Sequence, residues 1–203
     1  MIQKIRLFCL LIITNLAYAE GGYYIGVGAG YSDITANAVS PLEFTNPTTN
    51  AQDAQSFTSQ LYFGYDIYKW LGIQLDYNVS WLGQYNNSYS VNQQVIGPSV
   101  LLHLPFSIFS DSLNGISAYT KLGYDYNAVN FGNIGSCSAC ANLNSGASGF
   151  SPLFGLGAEL GFKNIGYRLE WDYSGGIMAK NNTNNNAINT SSSSYLASIM
   201  YHF

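Results

Sequence analysis

Apolar and polar residues alternate along most of this chain, and a period of two is the spacing of a β-strand, whose successive side chains point to opposite faces. The pattern starts at residues 23–32, where Tyr23, Ile25, Val27, Ala29 and Tyr31 share one face and Tyr24, Gly26, Gly28, Gly30 and Ser32 the other. It returns at 57–68, with Phe57, Leu61, Phe63, Tyr65 and Ile67 opposite Thr58, Gln60, Tyr62, Gly64 and Asp66. After a tight connection at Lys69 and Trp70, residues 71–81 set Leu71, Ile73, Leu75, Tyr77, Val79 and Trp81 against Gly72, Gln74, Asp76, Asn78 and Ser80. A fourth strand at 91–104 is less regular, because Val95 and Leu101 share the segment with Ile96, Val100, Leu102 and Leu104. A turn-like stretch, 105–115, leads to a fifth strand at 116–126. A hairpin pair follows at 150–162 and 167–174, and an eighth strand at 194–203 aligns Tyr195, Ala197, Ile199, Tyr201 and Phe203.

The connections are long after the first, third, fifth and seventh strands and mostly shorter after the second, fourth and sixth. That asymmetry matches long external loops and short periplasmic turns, with both chain ends on the periplasmic side. The fold this predicts is all-β: an eight-stranded antiparallel up-and-down barrel.

Alternation alone does not say which face is wet, because a soluble barrel alternates too, with its apolar set turned inward. Residue size decides. One face is bulky and aromatic; the other is rich in Gly, Ser and Gln with scattered charges, small enough to fill a narrow lumen. The bulky face therefore turns to lipid, with Tyr and Trp gathered toward the strand ends as at a membrane interface. Composition agrees. Only 9% of residues are charged, where a soluble surface carries about 25–35%. No segment is apolar for the roughly 20 residues a spanning helix needs. A net charge of −4 with no basic cluster excludes nucleic acid.

The N-terminus reads as a secretory signal: Lys4 and Arg6 precede an apolar run over residues 7–13, and Ala17 and Ala19 suit signal peptidase. Residues 1–19 are thus the expected signal peptide and 20–203 the barrel domain, exported through the periplasm to the outer membrane of a Gram-negative bacterium. Cys9 lies inside the apolar run and lacks the small-residue context of a lipid-attachment site.

The end of the chain, with Tyr195, Ile199, Tyr201 and the terminal Phe203 on one face, resembles the C-terminal signal read by the barrel assembly machinery. Together with the opening GYYIGVGAGYS and the hairpin FGYDIYKWLGIQLDY, it resembles the OmpA-like and OmpX-like family of small outer-membrane barrels. The resemblance covers residues 20–203. It implies outer-membrane lipid and lipopolysaccharide as surroundings, with the assembly machinery as partner. The chain ends at the barrel, so a peptidoglycan-binding domain is not expected.

Gly26, Gly28 and Gly30 imitate a dinucleotide loop, but that needs a helix behind it, whereas Tyr31 continues the strand period. The inward face carries Asp66, Asp76, Lys121, Asp125, Glu159, Arg168, Glu170 and Asp172. Unpaired lumen charges are costly, so Lys121 and Arg168 are expected to pair with carboxylates of neighbouring strands in a polar plug, Arg168 with Glu159 among them. His103 and His202 also face inward, without a recognisable Ser and acidic partner, and read as structural. Cys137 and Cys140 in GSCSAC suit a loop-internal disulfide in an oxidising periplasm, two ligands being too few for zinc. No metal or cofactor is expected. The polar, nearly uncharged loops around residues 33–56 and 181–194 contain no motif that names a ligand.

Three functions follow. The first is a noncatalytic barrel serving envelope structure or surface interaction and adhesion, with a host or surface ligand on its loops. The second is a small porin-like channel for ions or solutes, and the third a lipid-modifying enzyme.

Overall fold

The structure, a computed structural model, describes residues 22–38, 52–85, 89–133, 146–180 and 187–203. Its eight strands are β1 (Gly22–Ala38), β2 (Gln52–Tyr68), β3 (Leu71–Tyr85), β4 (Tyr89–Pro105), β5 (Ile116–Asn133), β6 (Gly146–Phe162), β7 (Ile165–Lys180) and β8 (Ala187–His202). Each pairs antiparallel with its neighbours in sequence, and β8 closes on β1. Within the 106–115 connection lie two single 3-10 turns, Phe106–Ile108 and Asp111–Leu113.

The register fixes the barrel's girth. Pairing from Gly22 runs through Asp66, Gly72, Leu101, Lys121, Gly155, Asp172 and Ser194 and returns to β1 at Ser32, a stagger of 32 − 22 = 10 residues. With about 3.3 Å per residue and about 4.8 Å between strands, this tilts the strands by about 40° and leaves a backbone diameter of about 16 Å. Side chains alone fill such an interior.

The bulky face is the outer one. Ile25, Val27, Leu61, Phe63, Leu75, Leu122, Leu156 and Leu169 are all exposed on the barrel wall. Aromatic rings border this belt on both sides: Tyr31, Phe57, Trp81 and Tyr195 are paired in register above, and Tyr23 and Tyr65 below. From Tyr23 to Tyr31 the tilted strand climbs about 20 Å, close to the ~25 Å apolar band of outer-membrane barrels.

Several strands run past the upper ring, further than their alternation predicts, and there the pattern inverts. Ile34, Val91 and Val129 turn inward and are fully buried, while Gln55, Asn92, Gln94 and Asn130 face out. Above the membrane the wall meets water, so apolar residues gain by pointing in. The inversion explains part of the irregularity of β4: Val91 and Val95 belong to its aqueous part and Ile96, Val100, Leu102 and Leu104 to its lipid-facing part, whereas Leu101 is an apolar residue buried in the lumen beside Lys121.

Candidate functional site

The lumen is packed with polar side chains in tiers. Its centre is Lys121 on β5, fully buried, whose Nζ donates to Glu170 Oε1 and Asp172 Oδ2 at 2.7 Å each and to Asp76 Oδ1 at 3.3 Å. Neutral donors add to the coordination of Glu170 and Asp76, whereas Asp172 Oδ1 takes no hydrogen bond among the described residues. Gln60 Nε2 donates to Glu170 at 2.9 Å, Gln74 Nε2 to Asp76 at 2.7 Å, Ser99 Oγ to Asp76 at 3.1 Å and Tyr119 OH to Glu170 at 2.5 Å.

One layer toward the periplasm sits Arg168 of β7. It donates to Gln74 Oε1 at 2.7 Å and to Glu159 Oε2 at 3.1 Å. Its guanidinium carbon lies 5.5, 4.9 and 4.8 Å from the ring centroids of Tyr24, Tyr62 and Tyr119, a three-sided cation–π cage. Each of these rings lies over a glycine directly opposite it on the neighbouring strand: Tyr62 over Gly26, Tyr24 over Gly64 and Tyr119 over Gly157. A Cβ at any of the three would fall within the ring. Gln74, also accepting from Tyr24 OH at 3.0 Å, joins this layer to the Lys121 layer.

At the periplasmic mouth Asp66, His103, Glu159 and His202 face one another from alternate strands. The gaps are 3.9 Å for His103–Asp66, 4.0 Å for His202–Asp66 and 3.9 Å for His202–Glu159. Toward the outside, hydroxyls close the bore: Ser32 bonds Thr58 at 2.5 Å and Ser194 at 2.6 Å, and Thr58 bonds Ser80 at 2.7 Å. Above them lie Ile34, Val91 and Val129.

Of the residues the sequence singles out, Asp76, Lys121, Glu159, Arg168, Glu170 and Asp172 enter the ion-paired layers. Asp66 stands apart at the mouth. Asp125 is buried with its Oδ1 against Gly97, and that oxygen takes no hydrogen bond among the described residues. One expectation is corrected: Lys121 does not pair with adjacent strands. Its partners lie on β3 and β7, two strands away on either side: Gly155, opposite it on β6, has no side chain to block the reach to β7, while on β4 it is paired with the buried Leu101. Arg168 does pair with an adjacent strand, through Glu159. The tyrosine cage and the bridging glutamines went unread in the sequence. The available signal was an inward Tyr opposed to Gly in a hairpin register. Tyr195, Ile199, Tyr201 and Phe203 all project outward, and Phe203 N donates to Tyr23 O at 3.0 Å. Cys137 and Cys140 lie outside the described residues, as does the predicted signal peptide.

A closed barrel with an apolar belt outside and a filled polar lumen defines a β-barrel protein of the Gram-negative outer membrane. Residues 18–203 match the OmpA-like transmembrane domain, and the chain belongs to that family. Among solved structures it is similar to Neisserial surface protein A, at 16% identity over 91% of this chain and 100% of that one, with a TM-score of 0.62. OprG of Pseudomonas aeruginosa gives 14% identity, 93% and 97% coverage and a TM-score of 0.55. Ail, the attachment invasion locus protein of Yersinia pestis, solved with the heparin analogue sucrose octasulfate, gives 13%, 91% and 100%, and 0.51. At these identities the likeness is one of fold. No curated protein sequence matches the chain significantly.

Proposed function

We propose that this protein is a noncatalytic surface scaffold, a closed membrane anchor whose external loops engage a ligand or neighbouring surface. The observation that carries this reading is the filled lumen, where the Lys121 and Arg168 layers, the hydroxyl layer and the apolar cap follow one another along the bore. The strands extending past the upper aromatic ring support it too, since they raise the loops on a rigid wall. Catalysis finds little support: His103 and His202 oppose only carboxylates and tyrosine rings, at the periplasmic end.

The Ail structure holds a polyanion analogue, but this chain is poorly suited to one. Past residue 19 its basic residues are Lys69, Lys121, Lys163, Arg168 and Lys180. Two are buried in the lumen and two lie at periplasmic turns. Among the described side chains, the outward residues above the membrane are amides and hydroxyls with the carboxylate of Asp33 and no base, so a neutral glycan or a protein surface is the ligand class they suit. A Cys137–Cys140 disulfide would stiffen the third loop for that contact.

Planar-bilayer recording of the purified protein tests the anchor, with small or intermittent conductance expected; a large steady channel would favour the porin-like alternative. Adhesion of cells expressing the protein, with and without residues 134–145, tests the loops. Equal adhesion by both would overturn a binding role for that loop.

A further inference from the structure

The periplasmic rim carries a charge and aromatic pattern that the lumen and loops leave unexplained. Among the described side chains the only exposed basic ones are Lys69 and Lys163, and each sits in a periplasmic turn beside an aromatic residue. Lys69 is flanked by Tyr68 and Trp70, whose rings stack at 5.6 Å, and Lys163 Nζ lies 5.7 Å from the centroid of Phe162. Between them the 106–115 turn exposes Phe109 to 71% with Phe106 against it at 6.3 Å. This apolar surface continues the lipid-facing belt, following directly on the exposed Leu104, and the turn's far end is held by Gly161 N donating to Gly115 O at 2.6 Å.

Backbone geometry adds a separate observation. Lys163 has φ of 56°, the only positive φ of a non-glycine among the described residues. Gly or Asn adopts that conformation at lower cost in a two-residue turn. The turn itself therefore gives no reason for a lysine at this position.

We propose that this rim is a docking surface for anionic phospholipid of the periplasmic leaflet. Lys69 and Lys163 pair with headgroup phosphates, their stems lying along the neighbouring rings, while Phe106 and Phe109 insert at the interface. Ser110, Asp111 and Ser112 form the water side of the same turn. Charge complementarity and continuity with the apolar belt both select a membrane over a periplasmic protein.

The purified protein in vesicles of phosphatidylcholine, with and without phosphatidylglycerol, provides the test. Anionic lipid is expected to raise the wild-type unfolding midpoint, and the double variant Lys69→Gln, Lys163→Gln to lose most of that rise. Lys163→Gly is expected to raise the midpoint in phosphatidylcholine alone, by relieving the turn, yet to respond less to phosphatidylglycerol. A second arm places a nitroxide at Phe109→Cys or Asp111→Cys, in a chain carrying Cys137→Ser and Cys140→Ser. The label at 109 is expected to meet membrane-dissolved oxygen and the label at 111 a water-soluble nickel chelate. An equal phosphatidylglycerol response in wild type and double variant overturns the headgroup pairing. Equal chelate access at 109 and 111 places the turn in water and overturns the insertion, and a bound periplasmic protein becomes the better reading.

Discussion

Lys121 holds three carboxylates within 3.3 Å of one ammonium, so the layer depends on a single cation. Removing one partner of a buried ion pair leaves uncompensated charge and costs about 3–5 kcal/mol, whereas replacing the whole set by apolar groups can be neutral. Lys121→Met is therefore expected to lower the midpoint of urea unfolding in lipid vesicles, and pairing it with Glu170→Gln to recover part of the loss. An undiminished midpoint in the single variant would mean that the carboxylates are neutralised without Lys121. The glycines under the tyrosines give a second case. Gly157→Ala drives a Cβ into the Tyr119 ring, and overpacking of this kind costs about 1–3 kcal/mol. Combined with Tyr119→Ser, which removes the ring, the alanine is expected to cost far less than alone. Additive losses in that double-mutant cycle would show that glycine is required by the wall itself rather than by the ring.

The strands were legible because lipid outside and a narrow bore inside sort residues by size at every second position. Their upper ends were not. Past Tyr31, Phe57 and Tyr126 the solvent outside changes from hydrocarbon to water, so the same parity that carries Leu and Phe lower down carries Gln55, Asn92 and Asn130. A rule of fixed polarity per face reads that change as the end of the strand, or as noise in β4. The ion-paired layers were half legible for a related reason: parity gives the face but not the depth, and pairing across the bore follows from side-chain length and from the absence of a side chain at Gly155. The inversion makes a prediction about elements. Val91→Asp or Val129→Asp puts a charge into the dry cap and is expected to destabilise the upper β4 and β5, seen as faster protease cleavage near residues 86–92 or 130–145. Asn92→Asp, one position along on the outer face, is expected to leave cleavage unchanged. Equal sensitivity at Val91 and Asn92 would place the upper wall in water on both faces.

At the scale of the molecule, the inward-facing ionisable groups among the described residues are unbalanced: Asp66, Asp76, Asp125, Glu159, Glu170 and Asp172 against Lys121 and Arg168. In the wild-type protein the packed lumen side chains surround this excess. Loosening the plug exposes it. In Lys121→Met the three carboxylates lose their common partner and repel, so the central layer is expected to open more often, with a field that attracts cations and rejects anions. Bilayer recording under a potassium chloride gradient reads both effects at once: mean conductance above wild type, and a reversal potential displaced toward that of potassium. A displacement toward chloride would mean that Arg168 and its cage, not the carboxylates, govern the opened path. Conductance equal to wild type would place the seal above Lys121, in the hydroxyl layer and the apolar cap of Ile34, Val91 and Val129. The Val91→Asp variant, recorded under the same gradient, then distinguishes these two locations.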